Sequence, residues 1–236
     1  ALSFRQGSGW SIERPRERNG YICCAPIPPM EMATARDRLV DSLVANDIIT
    51  KPSTEAALRA TPRHEFVGDD HQEQAYQDRP LPIGNDQTIS APHIVGQMLD
   101  LIDVEPGDRV LEIGTGCGYH AAVTSEVVGD GNVYSVEYDA ELGEAARQRL
   151  AELGYDVAVR IGDGRAGWPE KAPFDASYLT CAAADPPAAV VTQTASDGVV
   201  VGPFGTGQQE LKRLTVGDDG DYEAETIAPV RFVTMR

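Results

Sequence analysis

The chain has 236 residues, 42% of them hydrophobic, which suits one α/β domain, alone or modestly extended, and excludes a peptide, a fibre or a wholly disordered tail. Against 37 Asp and Glu stand only 20 Lys and Arg, and a net charge of −17 repels phosphate backbones and anionic membranes, so neither nucleic acid nor membrane is an expected partner. Lys occurs only at 51, 171 and 212, and plentiful Asp beside scarce Lys reads as a halophilic protein solvated in salty cytoplasm, where charge is screened over roughly 3 Å at 1 M salt.

Residues 1–29 carry four Arg against two Glu with no sustained period, whereas 30–236 carry 16 basic and 35 acidic side chains, a balance of −19. The first stretch reads as a disordered or non-native leader, with a targeting or docking arm as the alternative. Cys23, Cys24, Cys117 and Cys181 match neither a metal-binding pair nor a disulfide framework, so a reducing compartment and no metal site are expected. Pro26, Pro28 and Pro29 interrupt the only apolar stretch resembling a signal, and the protein is expected in the cytoplasm, as a monomer.

Apolar spacing predicts helices over 33–46 and 53–60, then a polar, Pro-rich segment, 61–88, expected to be a long loop or lid rather than sheet. Ser90 is expected to cap a helix running to 101. Residues 30–102 thus form a helical and loop extension. From 103 to 236, strand-like runs at 109–113, 132–138, 156–162, 174–180 and 198–204 alternate with helical segments at 118–128, 139–153 and 186–195. That alternation predicts a Rossmann-like, doubly wound, mostly parallel sheet, with the runs at 210–216 and 223–233 as a closing antiparallel pair.

The turn after the first of these strands holds Gly114, Thr115, Gly116 and Gly118 in the pattern GxGxG, and Tyr119 stands where a dinucleotide fold has its third glycine. A cofactor without a pyrophosphate needs close backbone approach and an acid, and Glu112 could pair with a cationic amino group. Glu137, beside Tyr138 at the tip of the next strand, could accept hydrogen bonds from a ribose diol. Asp163 and Gly164, at the tip of the third, could take an adenine, or form an ordinary Asp-Gly turn. Together these three strand tips describe a site for S-adenosyl-L-methionine.

The strings AYQDRPLPIGNDQTISAPH (75–93), VLEIGTGCGYHAAV (110–123), GDGRAGWPEKAPFDA (162–176) and APVRFV (228–233) closely resemble protein-L-isoaspartate O-methyltransferases. The resemblance implies a class I S-adenosylmethionine-dependent methyltransferase fold. It implies methyl transfer to the free α-carboxylate of L-isoaspartyl residues, with damaged isoaspartyl-containing proteins and peptides as partners. By the same resemblance Ser90 is the active-site serine, orienting the carboxylate or the methyl donor. Ile89 and His93 line the substrate side with Asp78, and Thr88 lies on the cofactor's wall. Tyr76 falls in the same substrate strip. Thr180 and Ala182 form a small-residue wall after the fourth strand, and Gln209 lies in a region folding over the cofactor. The chain departs from the family at TCAAADPP (180–187), where Cys181 reads as a buried filler and Asp185 as a possible rival charge; Trp168 reads as packing. A small-molecule methyltransferase of this fold and a non-catalytic adaptor remain the alternatives.

Overall fold

The computed structural model describes residues 29–218 and 220–236, so the leader read over 1–29, Cys23 and Cys24 with it, lies outside the described residues except for Pro29. Helix α1 (Pro29–Ala45) begins four residues before the apolar period predicts, and α2 (Pro52–Ala60) follows with a proline in its first turn, where a missing N–H is harmless. Arg59 of α2 fastens the pair by reaching Asp41 of α1 at 2.6 Å and Glu55 at 2.9 Å. No helix among the described residues is long and apolar enough to cross a membrane.

The 61–88 segment corrects the expectation of a loop without sheet. It holds 3-10 turns at Arg63–Phe66 and Asp69–Gln74, then a hairpin of β1 (Leu81–Gly84) and β2 (Gln87–Ile89). Asn85 and Asp86 take left-handed backbone angles, φ 50° and 58°, as a tight hairpin turn demands. The strands are too short to show alternation, yet Leu81 pairs with Ile89 and both are buried. Arg63, fully buried, staples the segment: its guanidinium donates to the carbonyls of Ala75 (2.7 Å), Arg79 (3.2 Å) and Ser90 (2.9 Å). Burial lowers its pKa from the usual arginine value.

Helix α3 (Pro92–Ile102) buries Val95, Met98, Leu99 and Ile102, as its apolar face predicts. Ser90 does not cap it. The cap position is Ala91, and the first turn is served from outside, where Asp78 Oδ1 accepts the backbone N–H of His93 at 2.9 Å.

The remaining elements are β3 (Val110–Ile113), α4 (Tyr119–Val128), β4 (Val133–Glu137), α5 (Ala140–Glu152), β5 (Val157–Ile161), β6 (Phe174–Leu179), α6 (Ala188–Gln193), β7 (Thr194–Phe204), β8 (Gln209–Val216) and β9 (Tyr222–Val230). They form a seven-stranded sheet in the order β5-β4-β3-β6-β7-β8-β9. Pairing is parallel from β5 to β7 and antiparallel across β8 and β9, so the sheet is as read, mostly parallel with a closing antiparallel pair. One apolar cluster joins α1–α4 to one face of the sheet and a second, around Leu111, Tyr134, Phe174 and Val200, fills the other. Trp168 packs edge-on against Tyr134 at 5.9 Å. The chain reverses at the carboxyl ends of β3 and its neighbours, where doubly wound sheets leave a crevice.

Candidate functional site

A cleft with about 610 Å³ of open space lies at those strand ends. Gly114 and Gly116 form its floor, Glu137 and Tyr138 one wall, and Gly164 and Thr180 the other. Gly114 has φ 100°, and a Cβ there would collide with the Thr180 hydroxyl, which donates to the Gly114 carbonyl at 2.5 Å. Only glycine meets both demands. Glu137 is oriented before any ligand arrives: Oε2 accepts the N–H of Gly116 at 2.8 Å and Oε1 that of Asp139 at 3.0 Å. Each oxygen keeps a lone pair for a ribose hydroxyl. Asp139, whose side chain caps α5, also lines the cleft and accepts from Asn85 Nδ2 at 3.1 Å, tying the hairpin tip to the cofactor edge.

Several residues read as cofactor contacts have other roles. Strand alternation turns Ile113 to the cleft and Glu112 away from it. Glu112 is fully buried, so it cannot meet a ligand's amino group. In register with Ser135 of β4 and Tyr178 of β6, it accepts from both hydroxyls, that of Tyr178 at 3.1 Å. Burial pushes its carboxyl up to about 8, so it is largely protonated at neutral pH. Thr115 is buried too, its hydroxyl 2.5 Å from that of Ser135, and Gly118 is spent on the entry to α4. Asp163 does not line the cleft; it caps the next turn by accepting the N–H of Arg165 at 2.9 Å, leaving Gly164 at the wall. Cys181 lines the cleft as a thiol, burial pushing its pKa up to about 12.

A second cavity, of about 730 Å³, lies beside the first and is lined by Thr88, Ser90, His93 and Phe232. Thr88, read as a cofactor contact, faces this cavity instead. Ile89 between Thr88 and Ser90 points into the core, because β2 sends alternate side chains to opposite sides. Asp78 lines neither cavity. It accepts from the His93 backbone and lies 2.8 Å from His93 Nδ1, fixing the ring whose other face lines the cavity. Tyr76 is likewise absent from both, its hydroxyl 2.7 Å from His64 Nδ1. Thr180 and Val233 line both cavities, which therefore meet across one wall.

The wall on the far side of the cleft comes from 233–236, which sequence reasoning missed. Ala182, read as a substrate contact, is buried and acts through its backbone: its N–H donates to the Val233 carbonyl and its carbonyl accepts from Met235, both at 2.8 Å. Gln209, read as a cofactor contact, clamps the same segment, donating to the Phe232 carbonyl at 3.1 Å and accepting its N–H at 2.6 Å. Gln87, Ile113 and Val136 also line the cleft unforeseen. Asp185 lines neither cavity.

The sequence profile of the Protein-L-isoaspartate(D-aspartate) O-methyltransferase family (PCMT) matches residues 34–236. A curated relative, protein-L-isoaspartate O-methyltransferase 2 of Archaeoglobus fulgidus, is 45% identical over 209 residues, covering 88% of this chain and 95% of that protein. The protein-L-isoaspartate O-methyltransferase of Methylorubrum extorquens is 46% identical over 211 residues, covering 89% and 91%. A solved protein-L-isoaspartate O-methyltransferase superposes with TM-score 0.79 at 29% identity, over 84% of this chain and 65% of that one. A Plasmodium falciparum structure in complex with S-adenosyl-L-homocysteine, at TM-score 0.74 and 20% identity over 85% and 98%, shares the fold.

Proposed function

Because this chain belongs to the protein-L-isoaspartate O-methyltransferase family and is an S-adenosylmethionine-dependent methyltransferase, we propose that its two adjoining cavities bring cofactor and damaged peptide together for methylation of the isoaspartyl α-carboxylate. The observation that carries this reading is the shared wall. Thr180 and Val233 border both spaces, so a sulfonium methyl on one side and a carboxylate on the other can approach in line. Residues 103–236 supply the cofactor side apart from Gln87, and the peptide side is shared equally between 80–94 and Thr180 with 229–233.

When bound, S-adenosylmethionine supplies the electrophilic methyl. The carboxylate is ionised at neutral pH, so the protein need not remove a proton from it. Its work is positioning and exclusion of water. Glu137, preset by two backbone donors, holds the ribose, while Gly114 and Gly116 allow close approach. Ser90 offers a hydroxyl to the substrate carboxylate, and His93, steadied by Asp78, offers a ring nitrogen beside it. Arg63 holds the Ser90 carbonyl and so fixes the direction of that hydroxyl's backbone.

The same reading gives a monomer in a reducing, salt-rich cytoplasm, supported by the charge of −17 and by Cys117 and Cys181, which form no disulfide among the described residues. A methyl ester is the diagnostic product. Mass spectrometry of an isoaspartyl peptide incubated with enzyme and S-adenosylmethionine is expected to show one added methyl that mild base removes. A base-stable methyl on nitrogen, or none on the peptide, would overturn the reading.

A further inference from the structure

We propose that Arg231 selects isoaspartyl peptides bearing a second carboxylate next to the isoaspartyl residue, and that the groove between 207–209 and 229–232 receives that neighbour. This rests on the reading of the Ser90 cavity as the peptide site. The groove, of about 940 Å³, lies on the other side of the strand that bounds the cavity, and the two share Pro229, Val230, Arg231 and Phe232. Of the four, Arg231 alone carries a charge for a chain that crosses this rim.

Arg231 is exposed, and among the described residues no carboxylate lies in ion-pair range of it. Among the described residues six of sixteen Lys and Arg side chains are held by a carboxylate, Arg59, Arg147, Arg160 and Lys212 among them, whereas Arg231 stands at the cavity rim with its guanidinium open to a ligand's carboxylate. Its backbone is also held. Gln209 grips the next residue, Phe232, by both its N–H and its carbonyl, so presenting the guanidinium costs little further ordering.

Position decides which charge it reads. The reacting α-carboxylate must reach the Thr180–Val233 wall, whereas Arg231 lies on the rim shared with the outer groove. A guanidinium on the reacting oxygen would also withdraw the lone pair that attacks the methyl. A flanking carboxylate suffers neither conflict. The net charge of −17 repels acidic peptides at long range, and salt weakens that repulsion more than it weakens a pair in contact.

The test uses isoaspartyl peptides differing only in whether Asp, Gln or Lys adjoins the isoaspartyl residue, each made on both sides, with wild type and Arg231→Gln, Arg231→Lys and Arg231→Glu. With S-adenosylmethionine saturating, the wild type is expected to show a KM about fivefold lower for the Asp than the Lys peptide on one side, at similar kcat. Arg231→Lys should keep the preference, Arg231→Gln flatten it and Arg231→Glu reverse it, with unchanged melting curves. Equal KM values in the wild type, or a preference surviving in Arg231→Gln, would overturn the proposal. Failure of the wild type to methylate any isoaspartyl peptide would instead sink the assignment of the cavity, and this inference with it.

Discussion

Ser90 faces the cavity proposed for the peptide while its helix is capped by another residue, so chemistry and stability separate at this position. Ser90→Ala is expected to lower kcat/KM about 100-fold, the scale of a misplaced reactant, with cofactor affinity unchanged. Its unfolding free energy should stay within about 0.5 kcal/mol of wild type. A matching loss of cofactor affinity in calorimetry would contradict this. Glu112 is the converse, a buried acid whose effect is on stability. Its folded pKa, about 8, lies above that of an unfolded glutamate, so the folded state binds the extra proton between about 4.5 and 8. Its contribution is present at low pH and is lost as pH rises through that window. Glu112→Gln mimics the protonated form and should raise the melting temperature relative to wild type at pH 8 to 9 but hardly at pH 5. An equal effect at pH 5 and at pH 8 to 9 would show that the carboxyl ionises as readily in the folded chain as in the unfolded one.

Elements explain which parts of the site the sequence could disclose. Gly114, Glu137 and Gly164 were legible because each sits at the end of a strand whose neighbours in sequence set its direction. The wall from 233–236 was not, because it depends on the pairing of Ala182 with Thr234, far apart in the chain. Ala182 and Gln209 were therefore singled out as contacts when they are the fasteners of that wall. The β1–β2 hairpin was hidden by its brevity, and Ser90 was credited with a cap that Asp78 supplies from 15 residues away along the chain. Asp78 thus joins the loop, α3 and His93. Asp78→Ala should cost about 1 kcal/mol in denaturant unfolding, the worth of a helix cap, and should also raise the peptide KM. Asp78→Asn, which keeps an acceptor for the His93 N–H, should recover most of the stability. Equal destabilisation by both would mean that the charge matters rather than the cap.

Taken as a whole, the molecule sets a familiar methyltransferase sheet beneath a strongly acidic surface. The sheet order, the two apolar layers and the crevice at the strand ends follow from the alternation of apolar runs and helices after residue 103. The charge of −17 serves solvation in the proposed salt adaptation, since it neither helps bind an anionic carboxylate nor stabilises a compact chain in dilute buffer. The unfolding midpoint should rise as KCl increases from about 0.1 to 1 M and the screening length shrinks from roughly 10 to 3 Å. A flat or falling midpoint would remove the case for salt adaptation without touching the site. The central claim, that the adjoining cavities carry a methyl from S-adenosylmethionine to an isoaspartyl carboxylate, is tested most directly by radiolabelled cofactor with paired peptides differing only in an isoaspartyl or an aspartyl linkage. The account predicts label on the isoaspartyl peptide alone; equal labelling of both, or cofactor binding with transfer to neither, would contradict it.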